Sequence, residues 1–352
     1  MDYSIFETMT AQAAYDGRPA RLIELTNANG VSIVLMDIGA TWLSCCLPLA
    51  CGELREVLLG VGAMADFERH KSYMGVTVGR YANRIANGFF AIDGQSFQLD
   101  TNQAGNCLHG GTEGFDKTRW EVVEQSASHV VFGLLSQDGD QGFPGELSVQ
   151  VRYQLSDDGR FDIEYFAHSN KATPINLTNH AYFNLNGSES EFDGLCHQLY
   201  IKADHYLPTT DVGIPLGQLE SVEGTGFDFR VTKSVAQDLL LDEQQKPAKG
   251  YDHSYWFDPH RDVAEPVAKL TSQDGQVSMT VTTSKPAMQL YTGNWLDGTP
   301  SRSGGEYSDY AGIALETQFL PDSPNHSEWQ QPSCILQPEQ EYRYKTTYQF
   351  SC

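Results

Sequence analysis

The chain has 352 residues, of which 40% are hydrophobic and 20% charged, so it can bury a substantial core. Its formal net charge of -23 argues against the basic surfaces that bind nucleic acid or anionic membranes, and weighs against phosphorylated ligands. A neutral ligand suits this charge.

Taken in chain order, the dominant signal is alternation with period two. Val31, Ile33 and Leu35 alternate with Ser32 and Val34. Residues 149–155, 161–165 and 277–282 repeat the pattern, and Tyr342, Tyr344, Tyr348 and Phe350 close the chain with it. Each such run predicts a strand with one buried face. Asn29-Gly30, Asp93-Gly94, Asp138-Gly139, Asp158-Gly159 and Asp274-Gly275 predict the turns between them. Helical periodicity is confined to residues 234–242 (SVAQDLLLD) and a turn or two at Met64–Arg69. Many short strands with glycine-containing turns predict an all-β sandwich or barrel. No linker, internal repeat or low-complexity segment divides the chain, so one domain spanning 1–352 is expected.

No apolar run approaches the roughly 20 residues of a membrane-spanning helix. The first residues, MDYSIFETMTAQAAYDG, lack a basic segment followed by an apolar one, so no secretory signal is expected. Seven irregularly spaced cysteines contain no Cys-x-x-Cys pair, which predicts reduced thiols in a cytoplasmic protein and no zinc site of that type.

Residues 173–187, TPINLTNHAYFNLNG, surround His180 with Asn176, Thr178, Asn179 and Asn184 and with the rings of Tyr182 and Phe183. Hydrogen-bonding groups beside aromatic faces match a sugar, which has a rim of hydroxyls and two weakly apolar faces. A histidine there is suited to proton transfer near neutral pH. Residues 75–88, GVTVGRYANRIANG, form a loop-like stretch from which Arg80 or Arg84 could present a fork of donors. His109 precedes Gly110-Gly111, where the chain can turn sharply. Asp252 and His253 sit beside Tyr255 and Trp256, and Gln289 and Asn294 lie near aromatics. Glu316 interrupts the apolar run AGIALETQFL, where it either alternates to the solvent face of the strand or, if buried, has a raised pKa. Together His109, His180, Asp252 and Glu316 offer an acid, a base and two binding groups. Clustered metal ligands such as His-Glu-x-x-His are missing, so no tight metal site is expected, and a Gly-x-Ser-x-Gly elbow and a Walker-type glycine loop are missing too.

The segments GRYANRIANG, LHGGTEGFDKTRW, NLTNHAYFNL, ADHYLPTTDVGIP, GTGFDFR, KGYDH and LETQFLPDSPNH occur in this order. From near Gly30 to near Phe350 the chain resembles the aldose 1-epimerases, or galactose mutarotases, especially the bacterial hexose-metabolism members. The resemblance implies a large single-domain antiparallel β-supersandwich. It implies His180 as general acid and Glu316 as general base, with Asn83, Arg84, His109, Asp252 and Gln289 binding the sugar. It also implies a cofactor-free isomerase acting on free hexoses, present as a monomer or homodimer. The competing possibilities are a hexose-6-phosphate 1-epimerase, a non-catalytic sugar-binding module on the same scaffold, and a glycosidase using Asp252 and Glu316.

Overall fold

Strands with one apolar face must cover that face, and here they do so by packing sheets against one another. The computed structural model describes residues 4–352. Its largest sheet has nine antiparallel strands, centred on Leu147–Leu155, Arg160–Ser169, Tyr342–Ser351 and Ser278–Thr283. These are the runs that alternation predicts, and Leu147–Leu155 buries every second residue. All five predicted turns carry their glycine at positive φ. At Asp93-Gly94 both residues do so, at 50° and 81°, which matches the twist of a two-residue hairpin between Phe89–Ile92 and Gln95–Gln98.

A six-stranded sheet runs in the order Tyr182–Phe183, Ile313–Gln318, Ala287–Tyr291, Asp252–Trp256, His205–Leu207 and Glu220–Ser221. A four-stranded sheet covers Leu22–Thr26 to Leu54–Glu56. Trp42 joins the layers, with its ring 4.4 Å from Phe161, 5.4 Å from Tyr348 and 5.7 Å from Phe183. One apolar cluster runs continuously from Ile23 to Phe350.

Two local expectations change. Ser32–Met36 is buried on both faces rather than one. Ile33 and Leu35 enter the main core, whereas Val34 and Met36 pack with Ile5, Met9, Met64 and Phe67 of the helices Ser4–Thr10 and Met64–Arg69. Residues 235–242 form turns instead of a helix. Val235 and Ala236 donate their N–H groups to His197 and Leu195, and Leu240 at φ 62° breaks the run. Pairing with the neighbouring strand therefore overrides a short helical pattern.

Candidate active site

The six-stranded sheet organises the site by register. Tyr182 lies opposite Ala314, Ala314 opposite Tyr291, and Tyr291 opposite Asp252. Two residues along, Glu316 lies opposite Gln289, and Gln289 opposite Ser254. Period-two geometry sends these side chains to one face of the sheet, while Leu315, Leu290, His253 and Tyr255 face the other way. Ile313–Gln318 is buried throughout, so Glu316 has no solvent side to turn to.

The face carrying Glu316 closes one wall of a cavity of about 380 Å³, large enough for a monosaccharide. Asn83, Arg84, His109, His180, Asp252 and Glu316 all line it. Residues more than 230 positions apart in the chain thus converge on one polar chamber. His180 enters from the short strand Thr178–Asn179, and its own N–H and C=O are bound to Val76 and Gly75. Its Nε2 stands 3.6 Å from Glu316 Oε1, slightly beyond direct hydrogen-bond range. His180 Nδ1 and Glu316 Oε2 are both buried without a partner in another residue among those described.

Burial displaces the two groups in opposite directions. It raises the Glu316 pKa to about 8, helped by the negative charge of Asp252 and opposed by Arg84. It lowers the His180 pKa to about 4, opposed by its own main chain and by Asp252. Both groups resist becoming charged where water cannot solvate them. The pair therefore holds one proton across the neutral range and always offers one donor and one acceptor.

The remaining groups hold one another in place. Asn83 Oδ1 accepts the Arg84 main-chain N–H at 2.8 Å, and Gln103 Oε1 accepts Arg84 Nε–H at 3.2 Å. Arg84 Nη2 lies 3.8 Å from Asp252. His109 Nδ1 accepts the Asn83 N–H at 3.1 Å, so the neutral ring carries its proton on Nε2. Gly110 lets this loop approach the main chain of Gly79, where any Cβ would lie 1.9 Å from the carbonyl oxygen.

Gln289 does not line the cavity. Its Nε2 donates to Asp252 at 2.7 Å and its Oε1 accepts from Ser254, so both ends of the amide are engaged. It stands behind Asp252 as a support. Arg80 is also diverted, donating to Ser136, Gln137, Pro144 and Gly145 from full burial. The asparagines beside His180 serve the backbone rather than a ligand. Asn176 caps Ala82 and Phe319, Asn179 holds Gly75, and Asn184 holds Phe192 and Ala311. Asn294 likewise donates to Ala248 and Tyr251. Phe183 is core, while Tyr182 faces the cavity.

Lining residues that local pattern does not single out include Lys71, Tyr73, Gln103, Tyr291 and Trp295. Trp295 is 58% exposed at the rim, with Lys249 Nζ 3.8 Å above its ring. Among the described residues no group of three or more His, Cys, Asp or Glu could hold a metal ion, and no helix is long and apolar enough to cross a membrane.

A large β-supersandwich with a sugar-sized polar chamber, in which a buried carboxyl faces a buried imidazole, defines a class of carbohydrate-handling protein, and comparison with known proteins agrees on the class. The family model described as aldose 1-epimerase matches residues 21–349. An aldose 1-epimerase of Escherichia coli K12 is 48% identical over 341 residues, covering 97% of this chain and 98% of the relative. Human galactose mutarotase is 38% identical, with 85% of each chain covered. A solved aldose epimerase homologue from C. elegans superposes with a TM-score of 0.85 at 31% identity, covering 94% of this chain and 99% of that one. The chain belongs to the aldose 1-epimerase family and is an isomerase.

Proposed function

We propose that this protein interconverts the α and β anomers of free aldohexoses, D-galactose and D-glucose, and that Glu316 and His180 perform the proton transfers. With the pair's one proton moved from Glu316 to His180, the ionised Glu316 takes the proton of the C1 hydroxyl. The C1–O5 bond breaks, C1 becomes the aldehyde carbon, and His180 gives its proton to the electron pair left on O5. Rotation about C1–C2 presents the other face of the aldehyde. The two transfers then run backwards and close the ring as the opposite anomer.

The observation that carries this reading is the 3.6 Å gap between two buried groups whose pKa values are displaced in opposite directions. After ring opening Glu316 is protonated and His180 is neutral. That is also the arrangement burial favours in the free protein, so the ionised pair that starts the reaction lies higher and relaxes toward the open-chain intermediate. Arg84, His109 and Asp252 hold hydroxyls while C1 turns. In this reading the chain works as one domain, since its site draws on residues from Tyr73 to Glu316. Seven free thiols suit a reducing compartment, and we assign it to the cytoplasm.

Polarimetry on freshly dissolved α-D-galactose and α-D-glucose, with spontaneous mutarotation subtracted, tests the function. Clear acceleration is expected. Sugar binding without acceleration would leave a non-catalytic binding module.

A further inference from the structure

A histidine that transfers protons is usually aimed by a hydrogen bond at its far ring nitrogen. The Nδ1 of His180 is buried with no partner in another residue among those described, leaving only the residue's own main chain. Its ring is instead enclosed by other rings. Tyr73 stacks on it at 6.0 Å with 24° between the planes, Tyr182 lies tilted at 4.9 Å, and His109 meets it edge-on at 5.4 Å.

Tyr73 reaches this place at a conformational cost. Its φ is 55°, a region that bulky side chains avoid and that clusters at functional sites. Surrounding contacts enforce that geometry. Val76 N–H donates to the Tyr73 carbonyl, and two residues after Tyr73, Gly75 N–H donates to the His180 carbonyl at 2.9 Å. The strained residue is thus tied to the main chain of the histidine it covers. Its ring also touches His109 at 4.6 Å, so it packs against both imidazoles of the chamber.

We propose that Tyr73 is the positioning residue for His180, its ring fixing the imidazole plane toward Glu316 where no other residue holds Nδ1. The inference rests on the assignment of His180 as the proton donor. The ring, not the hydroxyl, does this work. When His180 is charged, the face of Tyr73 also favours the imidazolium electrostatically.

Three variants test it. Tyr73→Phe keeps the ring and is expected to retain kcat and KM within about twofold. Tyr73→Asn removes the ring with a residue that tolerates positive φ, so the loop keeps its shape. It is expected to lower kcat by on the order of 10- to 100-fold, the scale of a small misplacement of a reacting group, with galactose affinity nearly unchanged. A Tyr73→Asn protein with normal kcat would overturn the proposal. So would equal rises of KM in Tyr73→Phe and Tyr73→Asn at constant kcat, because the hydroxyl would then be a sugar ligand. His180→Asn, measured beside them, separates the two levels. If it keeps full activity, the assignment of His180 itself fails. If it is inactive while Tyr73→Asn is normal, only the positioning role fails.

Discussion

Replacing Glu316 by Gln is expected to abolish most activity and, at neutral pH, to stabilise the fold. Glu316 is 2% exposed, and its Oε2 has no partner among the described residues. Burial raises its pKa from 4.5 to about 8. The folded protein therefore keeps a proton that the unfolded chain releases above pH 4.5. Stability falls as pH rises through that window, by about 1.4 kcal/mol for each pH unit, and levels off above the folded pKa. At pH 7 the accumulated loss is about 3 kcal/mol on this scale. Glutamine keeps the shape and one carbonyl but cannot ionise, so the loss disappears. Thermal melts should show Glu316→Gln several degrees above wild type near pH 8 and level with it near pH 4.5. Polarimetry on α-D-galactose should show kcat lowered by on the order of 10²–10⁴, with sugar affinity within a few-fold. Equal melting at both pH values would refute the unpaired buried acid. A near-normal kcat with a raised KM would make Glu316 a binding residue, and the base would then be sought at Asp252 or His109.

Three further outcomes follow from the same geometry. The pH dependence of kcat/KM should be bell-shaped, with limbs near pH 4 and pH 8 that belong to the pair. Below the first limb both groups are protonated and no base remains, whereas above the second neither holds a proton and no acid remains. Dialysis against EDTA should leave the rate unchanged, because no metal-ligand cluster exists among the described residues; a loss restored by one divalent ion would contradict this. Free glucose should be turned over much better than glucose 6-phosphate, since the net charge is -23 and the Arg84 guanidinium is already engaged by Gln103 and Asp252; the reverse ranking of kcat/KM would reassign the substrate.

Strands and turns were legible in the sequence because they depend on neighbours in the chain. Leu147–Leu155 alternates as a one-sided strand should, and Asp93-Gly94 has the composition its hairpin requires. The chamber was legible through motifs, which gather His180, Glu316, Asn83, Arg84, His109 and Asp252 onto it. Side-chain direction was the hidden variable. Asn176, Asn179 and Asn184 have the chemistry of sugar ligands, yet their amides donate to the loop carbonyls of Ala82, Gly75 and Ala311 instead. Gln289 sits correctly in register beside Glu316, but Asp252 and Ser254 take up both ends of its amide. Tyr73 and Gln103 come from loops without periodicity, so only the folded chain reveals them as walls of the site. Val34 looked like a solvent-side residue because the helices that cover it lie elsewhere in the sequence.

The most direct test of the paired acid and base is a double-mutant cycle in kcat, measured by polarimetry on fresh α-D-galactose for wild type, Glu316→Gln, His180→Asn and the double variant. Two residues serving one concerted transfer lose most of their value when either is removed. The double variant is therefore expected to lose far less than the product of the two single losses. A loss equal to that product would mean that Glu316 and His180 act independently, and would contradict the one-proton pair at the centre of the mechanism.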